Sequence, residues 1–144
     1  MSDVLLVSLV YPPDSVSTAQ IMGELSVDLK NHGHRVTVIS TIPHYNRNLE
    51  NELSQPMRAK WGKLLYQSEY HGIIVYHIFM PTKSKNIFSR LLAWIFFHIM
   101  SVLVGLMIIP RPSIIIAPSP PLTIGLSCWL LGIFYKVPYI YNVQ

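Results

Sequence analysis

The residues with chemistry to offer gather where apolar runs end. After the first run, residues 4–10 (VLLVSLV), comes YPPDSVST, which places Asp14, Ser15, Ser17 and Thr18 within five positions. Short oxygen-bearing side chains at a helix start cap its unpaired N–H groups. The same N–H groups, at the positive end of the helix dipole, also hold ligands. Both uses are open for these four residues. After the second run, residues 34–40 (HRVTVIS), stands PHYN. His44 there is a candidate base or hydrogen-bond donor, or an idle loop histidine, with Tyr45 and Asn46 beside it. A third cluster, APSPPLTIG, puts Ser119 behind another buried run. Its prolines fit a ligand rim, and they fit the ordinary first turn of a helix equally well. Asn142, in the closing run VPYIYNV, completes the candidate rim.

Other chemistries lack their residues. No G-x-G-x-x-G, Walker loop or G-x-S-x-G elbow is present, and no acidic residue follows VIST to hold a ribose. The six histidines have no metal-ligand spacing, so no metal and no resident cofactor are expected. The single cysteine, Cys128, excludes an intrachain disulfide and a cysteine-based zinc site. It reads as a small buried hydrophobe.

These candidates need elements to position them. Short continuous apolar runs mark strands buried on both faces. Ile21, Met22, Leu25 and Leu29 recur at helical spacing, and Gly33 closes that helix. The strand–helix–strand order predicts a parallel sheet, with ligands beyond the carboxyl ends of its strands. On that rule Ser17, Thr18, His44 and Ser119 face one cleft. Residues 41–62 read as a long polar loop. KLLYQSEY and IIVYHIF flank His71-Gly72 as a hairpin. Residues 91–109 form an apolar helix, residues 114–117 a buried strand at the fourth or fifth position, and residues 122–136 a second apolar helix. The run VPYIYNV reads as a core strand, with Tyr139 and Tyr141 exposed if no helix covers it. The fold class is α/β: a Rossmann-like parallel sheet with helices on both faces plus a β-hairpin.

Charge is unevenly placed. The chain has 144 residues, 51% hydrophobic and 12% charged, with a formal net charge of +4. A typical soluble domain has about 25% charged residues. All seven acidic residues lie at or before Glu69, and beyond it the fixed charges are Lys83, Lys85, Arg90, Arg111 and Lys136. An apolar half with basic punctuation fits an anionic membrane surface. Nucleic acid is not expected, because no dense Lys/Arg stripe is interleaved with aromatics. Residues 91–109 would span roughly 28 Å as a helix, close to the ~30 Å of a bilayer core. Yet Trp94, His98, Ser101 and Gly105 fall on one stripe, which implies close packing against a neighbour. The preferred expectation is a helix packed on the sheet with its outer face in the membrane interface. Lys83, Lys85, Arg90, Trp94, Phe96 and Leu103 are then membrane-facing. With no signal peptide, the expected place is the cytoplasm, peripheral on the inner face of the plasma membrane.

Taken in order, YPPDSVSTAQIMGELSVDLKNHGHRVTVIST, IPHYN, HGIIVYHI, PRPSIIIAPSPPLTIGL and VPYIYNVQ resemble the N-terminal domain of family 4, GT-B-fold glycosyltransferases. The closest similarity is to bacterial enzymes of colanic-acid and O-antigen polysaccharide biosynthesis. One departure is Ser15-Val16-Ser17, where the family carries a glycine-containing loop. The resemblance implies that the chain is an acceptor-side domain for a lipid-linked saccharide. It also implies that the sugar-nucleotide donor domain is absent and that the chain alone transfers no sugar. Two other readings stand beside it: a small membrane-anchored protein with a cytosolic α/β head, and a free-standing nucleotide-binding module.

Overall fold

The computed structural model describes residues 1–81 and 86–143. Seven strands form one sheet: β1 (Asp3–Val7), β2 (Arg35–Thr41), β3 (Arg58–Trp61), β4 (Leu65–Tyr70), β5 (Ile73–Ile78), β6 (Ile114–Pro118) and β7 (Tyr139–Asn142). Their order is β3-β4-β5-β2-β1-β6-β7. The strands from β5 to β7 pair in parallel, and β4 and β3 add antiparallel at one edge. The expected α/β class is what the structure shows.

Alternation along the central strands sorts the core into two layers. Val4 and Leu6 of β1, Val36 and Val38 of β2, and Ile73 and Val75 of β5 point to one face. There they meet Met22 of α1 (Ser17–Asn31). Leu5, Val7, Ile39, Ile115 and Ala117 point to the other face. They meet Phe97 and Val104 of α3 (Ile87–Ile108) and Leu131 of α4 (Ile124–Tyr135). Helix α1 ends as expected: Gly33 takes φ +85°, and the His34 N–H donates to Leu29 O at 3.1 Å. The His71-Gly72 turn also holds, with φ +47° and +74°, the positive pair that a two-residue hairpin requires.

Several boundaries differ from expectation. The first strand stops at Val7, because the chain turns at Ser8, whose hydroxyl donates to Val10 O at 2.6 Å. The segment 41–62 is not all loop. It holds α2 (Leu49–Ser54), capped by Asn48 Oδ1 accepting from the Glu50 N–H at 2.9 Å, and the edge strand β3. Neither element buries a residue, so neither carries an apolar period. With β3 counted, APSPP follows the sixth strand. The closing strand β7 is an edge, not a core strand, and Tyr139 and Ile140 are exposed. Tyr141 is half-buried, its ring over Gly125 and its hydroxyl donating to Leu122 O at 3.0 Å.

Helix α3 is long and apolar enough to cross a membrane by length and composition. It packs on the sheet through Ala93, Phe97, Met100 and Val104. The predicted stripe faces α4: His98 bonds Ser127 and Thr123, and a Cβ on Gly105 would lie 2.8 Å from Leu131 Cδ2. Trp94 and Phe96, expected to face a membrane, are half-buried and packed against this core. The outward direction of the helix belongs instead to Phe88, Leu92, Ile95, Ile99 and Leu103, four, three, four and four residues apart. Leu103 and Arg90 are exposed. Lys83 and Lys85 lie outside the described residues.

Candidate functional site

The rim is built from the loops that leave the carboxyl ends of β1, β2 and β6. Strand β1 lies between the other two, so all three loops open on the same end of the sheet. His44 and Thr18 therefore sit on neighbouring connections rather than at opposite edges.

Asp14 fastens the first two loops together. It is buried, and its carboxylate accepts three backbone N–H groups: His44 at 3.2 Å, Tyr45 at 3.0 Å and Asn46 at 2.9 Å. The Ser15 N–H returns a bond to Asn46 O at 3.1 Å, and Asn51 Nδ2 donates to Ser15 Oγ at 3.2 Å. This corrects the capping expectation for Asp14, Ser15, Ser17 and Thr18. The cap position of α1 is Val16, in extended conformation with φ −85°, whose side chain makes no cap hydrogen bond. The Asp14 oxygens are occupied by the PHYN backbone, while Ser17 and Thr18 lie inside the helix. Gly23 explains how closely the loop is held, because a Cβ there would lie 2.8 Å from Pro12 Cγ.

His44 is oriented from below. Its Nδ1 lies 3.0 Å from Thr41 Oγ1 and 3.0 Å from Ile42 O. The Thr41 hydroxyl donates to Leu9 O at 2.7 Å, and a carbonyl can only accept. Nδ1 therefore carries a proton. The Tyr45 ring stands 4.3 Å away, centroid to centroid.

The far part of the rim is Ser119 and Asn142. The Ser119 N–H donates to Asn142 O at 2.8 Å, which joins the loop after β6 to the end of β7. Ser119 is buried and Asn142 exposed. The candidates thus form two groups: Asp14, Ser15, His44, Tyr45 and Asn46 bonded as one, and Ser119 with Asn142 one strand further along.

Two features escaped the sequence. Behind the rim runs a buried polar chain. Gln55 Nε2 donates to Pro12 O at 3.1 Å and to Ser68 Oγ at 2.8 Å, Ser68 meets His77 Nε2 at 2.7 Å, and His77 Nδ1 donates to Thr41 O at 2.9 Å. Burial pushes the His77 imidazole down to about 4, so it is neutral. The second feature is a cleft of about 450 Å³ beside α1, bounded by Pro12–Ser15, α2 and the hairpin turn. Its residues come from four segments far apart in sequence, which no local motif reveals. Among the described residues, no group of three or more His, Cys, Asp or Glu side chains can hold a metal ion.

No family model and no curated protein matches the sequence. Solved structures do match in shape. The catalytic domain of starch synthase IV from Arabidopsis thaliana, bound to ADP and acarbose, superposes over 99% of this chain with a TM-score of 0.67 and 15% identity. The chain spans 34% of that protein's chain. Two structures of the C-terminal domain of a hydrogenase from Pyrococcus furiosus superpose over 98%, with TM-scores of 0.60 and 0.59 and identities of 12% and 14%. They are matched over 90% and 91% of their own length. At these identities the likeness is one of fold: a mixed α/β fold similar to a GT-B glycosyltransferase domain.

Proposed function

We propose that this chain is the acceptor-side domain of a glycosyltransferase. In this reading it holds a lipid-linked saccharide at the cytoplasmic face of the membrane. A second domain, outside this chain, brings the sugar nucleotide, and the product belongs to surface polysaccharide of the O-antigen or colanic-acid type. The observation that carries the reading is the match of nearly the whole chain to one part of a catalytic domain that holds ADP and acarbose.

The geometry fits the acceptor role. His44 lies on the loop after β2 at the rim, its Nδ1 held by Thr41 Oγ1 and Ile42 O, and an imidazole placed there suits contact with a saccharide hydroxyl. Asp14 and the Thr41 hydroxyl hold that loop in place, so binding costs little ordering entropy. The α1 first turn adds N–H groups that the Val16 side chain does not cap. Helix α3 starts beyond α4: His98 is level with Thr123, leaving eleven residues of α3 on its near side, roughly 16 Å of apolar helix. That overhang, with exposed Phe88, Leu91, Leu92 and Ile95, lies on the rim end of the sheet. A membrane surface there would bring a lipid tail to α3 and its sugar to the rim.

The test is ligand binding to the 144-residue chain, followed at the rim amides by NMR. A short-chain lipid-linked saccharide should shift His44, Asn46 and Ser119, and His44→Ala should weaken it about tenfold. Sugar nucleotides alone should shift none of them, and mixing both ligands should give no transfer. Tight sugar-nucleotide binding at the rim would favour the nucleotide-module reading instead. Turnover that survives dilution and is lost in His44→Ala would refute a half-enzyme.

A further inference from the structure

The cleft beside α1 has a chemistry of its own. It shares Asp14 and Ser15 with the rim but runs away from it, past Pro12 and Pro13 and along the flank of α1 to the hairpin turn at His71. Its volume of about 450 Å³ falls within the range of small-ligand sites. Gln55 is the informative residue. It is 4% exposed, and both its amide hydrogens are committed inward, to Pro12 O and Ser68 Oγ. Among the described residues its Oε1 accepts no hydrogen bond, and the side chain lines the cleft. The Gln55 carboxamide is thus fixed at the cleft wall, held in place by Ser68 and His77 behind it.

Around it the lining is rich in acceptors. Glu24 and Glu69 bring carboxylates, and Gln20 brings a second carboxamide. Such a surface repels phosphates and favours a ligand that donates many hydrogen bonds. Two features favour a polyol over a cation. Both glutamates are exposed, so water screens their charge, and Lys30 reaches the same turn, its Nζ donating to His71 O at 2.6 Å. The Tyr70 side chain and the two proline rings also give the cleft an apolar wall, which suits the C–H face of a pyranose. We infer that this cleft binds a neutral saccharide chain along the flank of α1, beyond the Asp14 and Ser15 that it shares with the rim. The inference rests on the cleft's own side chains and does not depend on the transferase reading.

The experiment titrates the whole chain with neutral pentasaccharides (maltopentaose, cellopentaose and laminaripentaose), with spermidine and with glucose 1-phosphate, following backbone amides. At least one neutral pentasaccharide should shift Gln20, Glu24, Gln55 and Tyr70 together. Gln20→Ala/Glu24→Ala, both on the exposed side of α1, should weaken that binding about tenfold with the remaining spectrum unchanged. Glu69→Gln, on a different element, should weaken it too, while His44→Ala leaves it intact. Spermidine as the sole ligand that binds, shifts confined to the rim, or no shift with any neutral pentasaccharide would each overturn the assignment.

Discussion

His77 shows what a single buried group contributes. Its ring is held between Thr41 O and the Ser68 hydroxyl, and every polar atom of the ring has a partner. Neutral, it links the loop after α2 to the strands that carry the rim. Protonation would put an uncompensated charge in the core, which is why burial lowers its pKa to about 4 against the usual 6.5. The sign of the pH effect follows. Above pH 6.5 both folded and unfolded chains are neutral at this residue, and its contribution is fully present. Between pH 6.5 and 4 the unfolded chain takes up a proton that the native chain refuses, so stability falls as pH falls, by on the order of 3 kcal/mol across the window. Urea unfolding at pH 7.5, 5.5 and 4.5 should show that loss. His77→Gln should start less stable at pH 7.5 and lose less on acidification; an equal slope in both proteins would remove His77 from the account. At this scale the sequence was partly legible. Asp14 and His44 stood out as polar residues after apolar runs, but the bond that joins them spans thirty residues and has no local signal. Gln55, inside a polar stretch, carried none either.

Among the elements, those with a strong apolar period were legible and those without were not. β1, β2, β5, β6, α1 and α3 appear within a few residues of their expected bounds because each buries a face. α2 and β3 rest on Asn48, on the Arg47–Glu52 pair and on backbone pairing with β4, and bury nothing that patterning could reveal. β7 misled for the opposite reason: its β-branched and aromatic residues read as core, although it has a strand on one side only. The α3–α4 seam shows what small residues do. Gly105 lets Leu131 reach the α3 backbone, and the Tyr135 hydroxyl lies within hydrogen-bond reach of both Gly105 O and Ile109 O on the same seam, its one proton available to either. Leu131 is fully buried, so its methyl groups have nowhere to go. Gly105→Val should cost about 1–3 kcal/mol through overpacking. Leu103→Gln, half a turn away on the outward face, should stay within about 0.5 kcal/mol. Chemical unfolding of both variants checks this, and a neutral Gly105→Val would mean the two helices are not in close contact in solution.

At the scale of the whole molecule, two helix faces carry the question of where the protein works. α3 and α4 run side by side in the same direction, matched at His98 with Thr123, Gly105 with Leu131 and Ile109 with Tyr135. Inward they fill the core. Outward they present Phe88, Leu92, Ile95, Ile99 and Leu103 from α3 and Leu126, Trp129, Leu130 and Ile133 from α4. Contiguous apolar surface of this kind on a folded domain marks a place of interaction. The half of the chain that bears it has no acidic residue, and Arg90 is exposed at the rim end of α3. Spanning is disfavoured by connectivity: β5 and β6, on either side of α3, belong to one sheet. In the proposed interfacial posture the outer face would lie in the acyl boundary, with Arg90 among anionic headgroups. The chain should therefore sediment with phosphatidylglycerol-containing vesicles and less with purely zwitterionic ones. Raising salt should weaken the binding but not abolish it, because the apolar part is not screened. Trp129, exposed in solution, should shift its emission to the blue on binding. Replacing two outward residues, Ile95→Glu with Ile99→Glu, should reduce partitioning tenfold or more, on the order of the burial lost and the charge added. Unfolding by urea should confirm that this variant keeps its core, since neither residue is buried. A folded parent chain that stays in the supernatant, or a double variant that binds as well as the parent, would refute the membrane face.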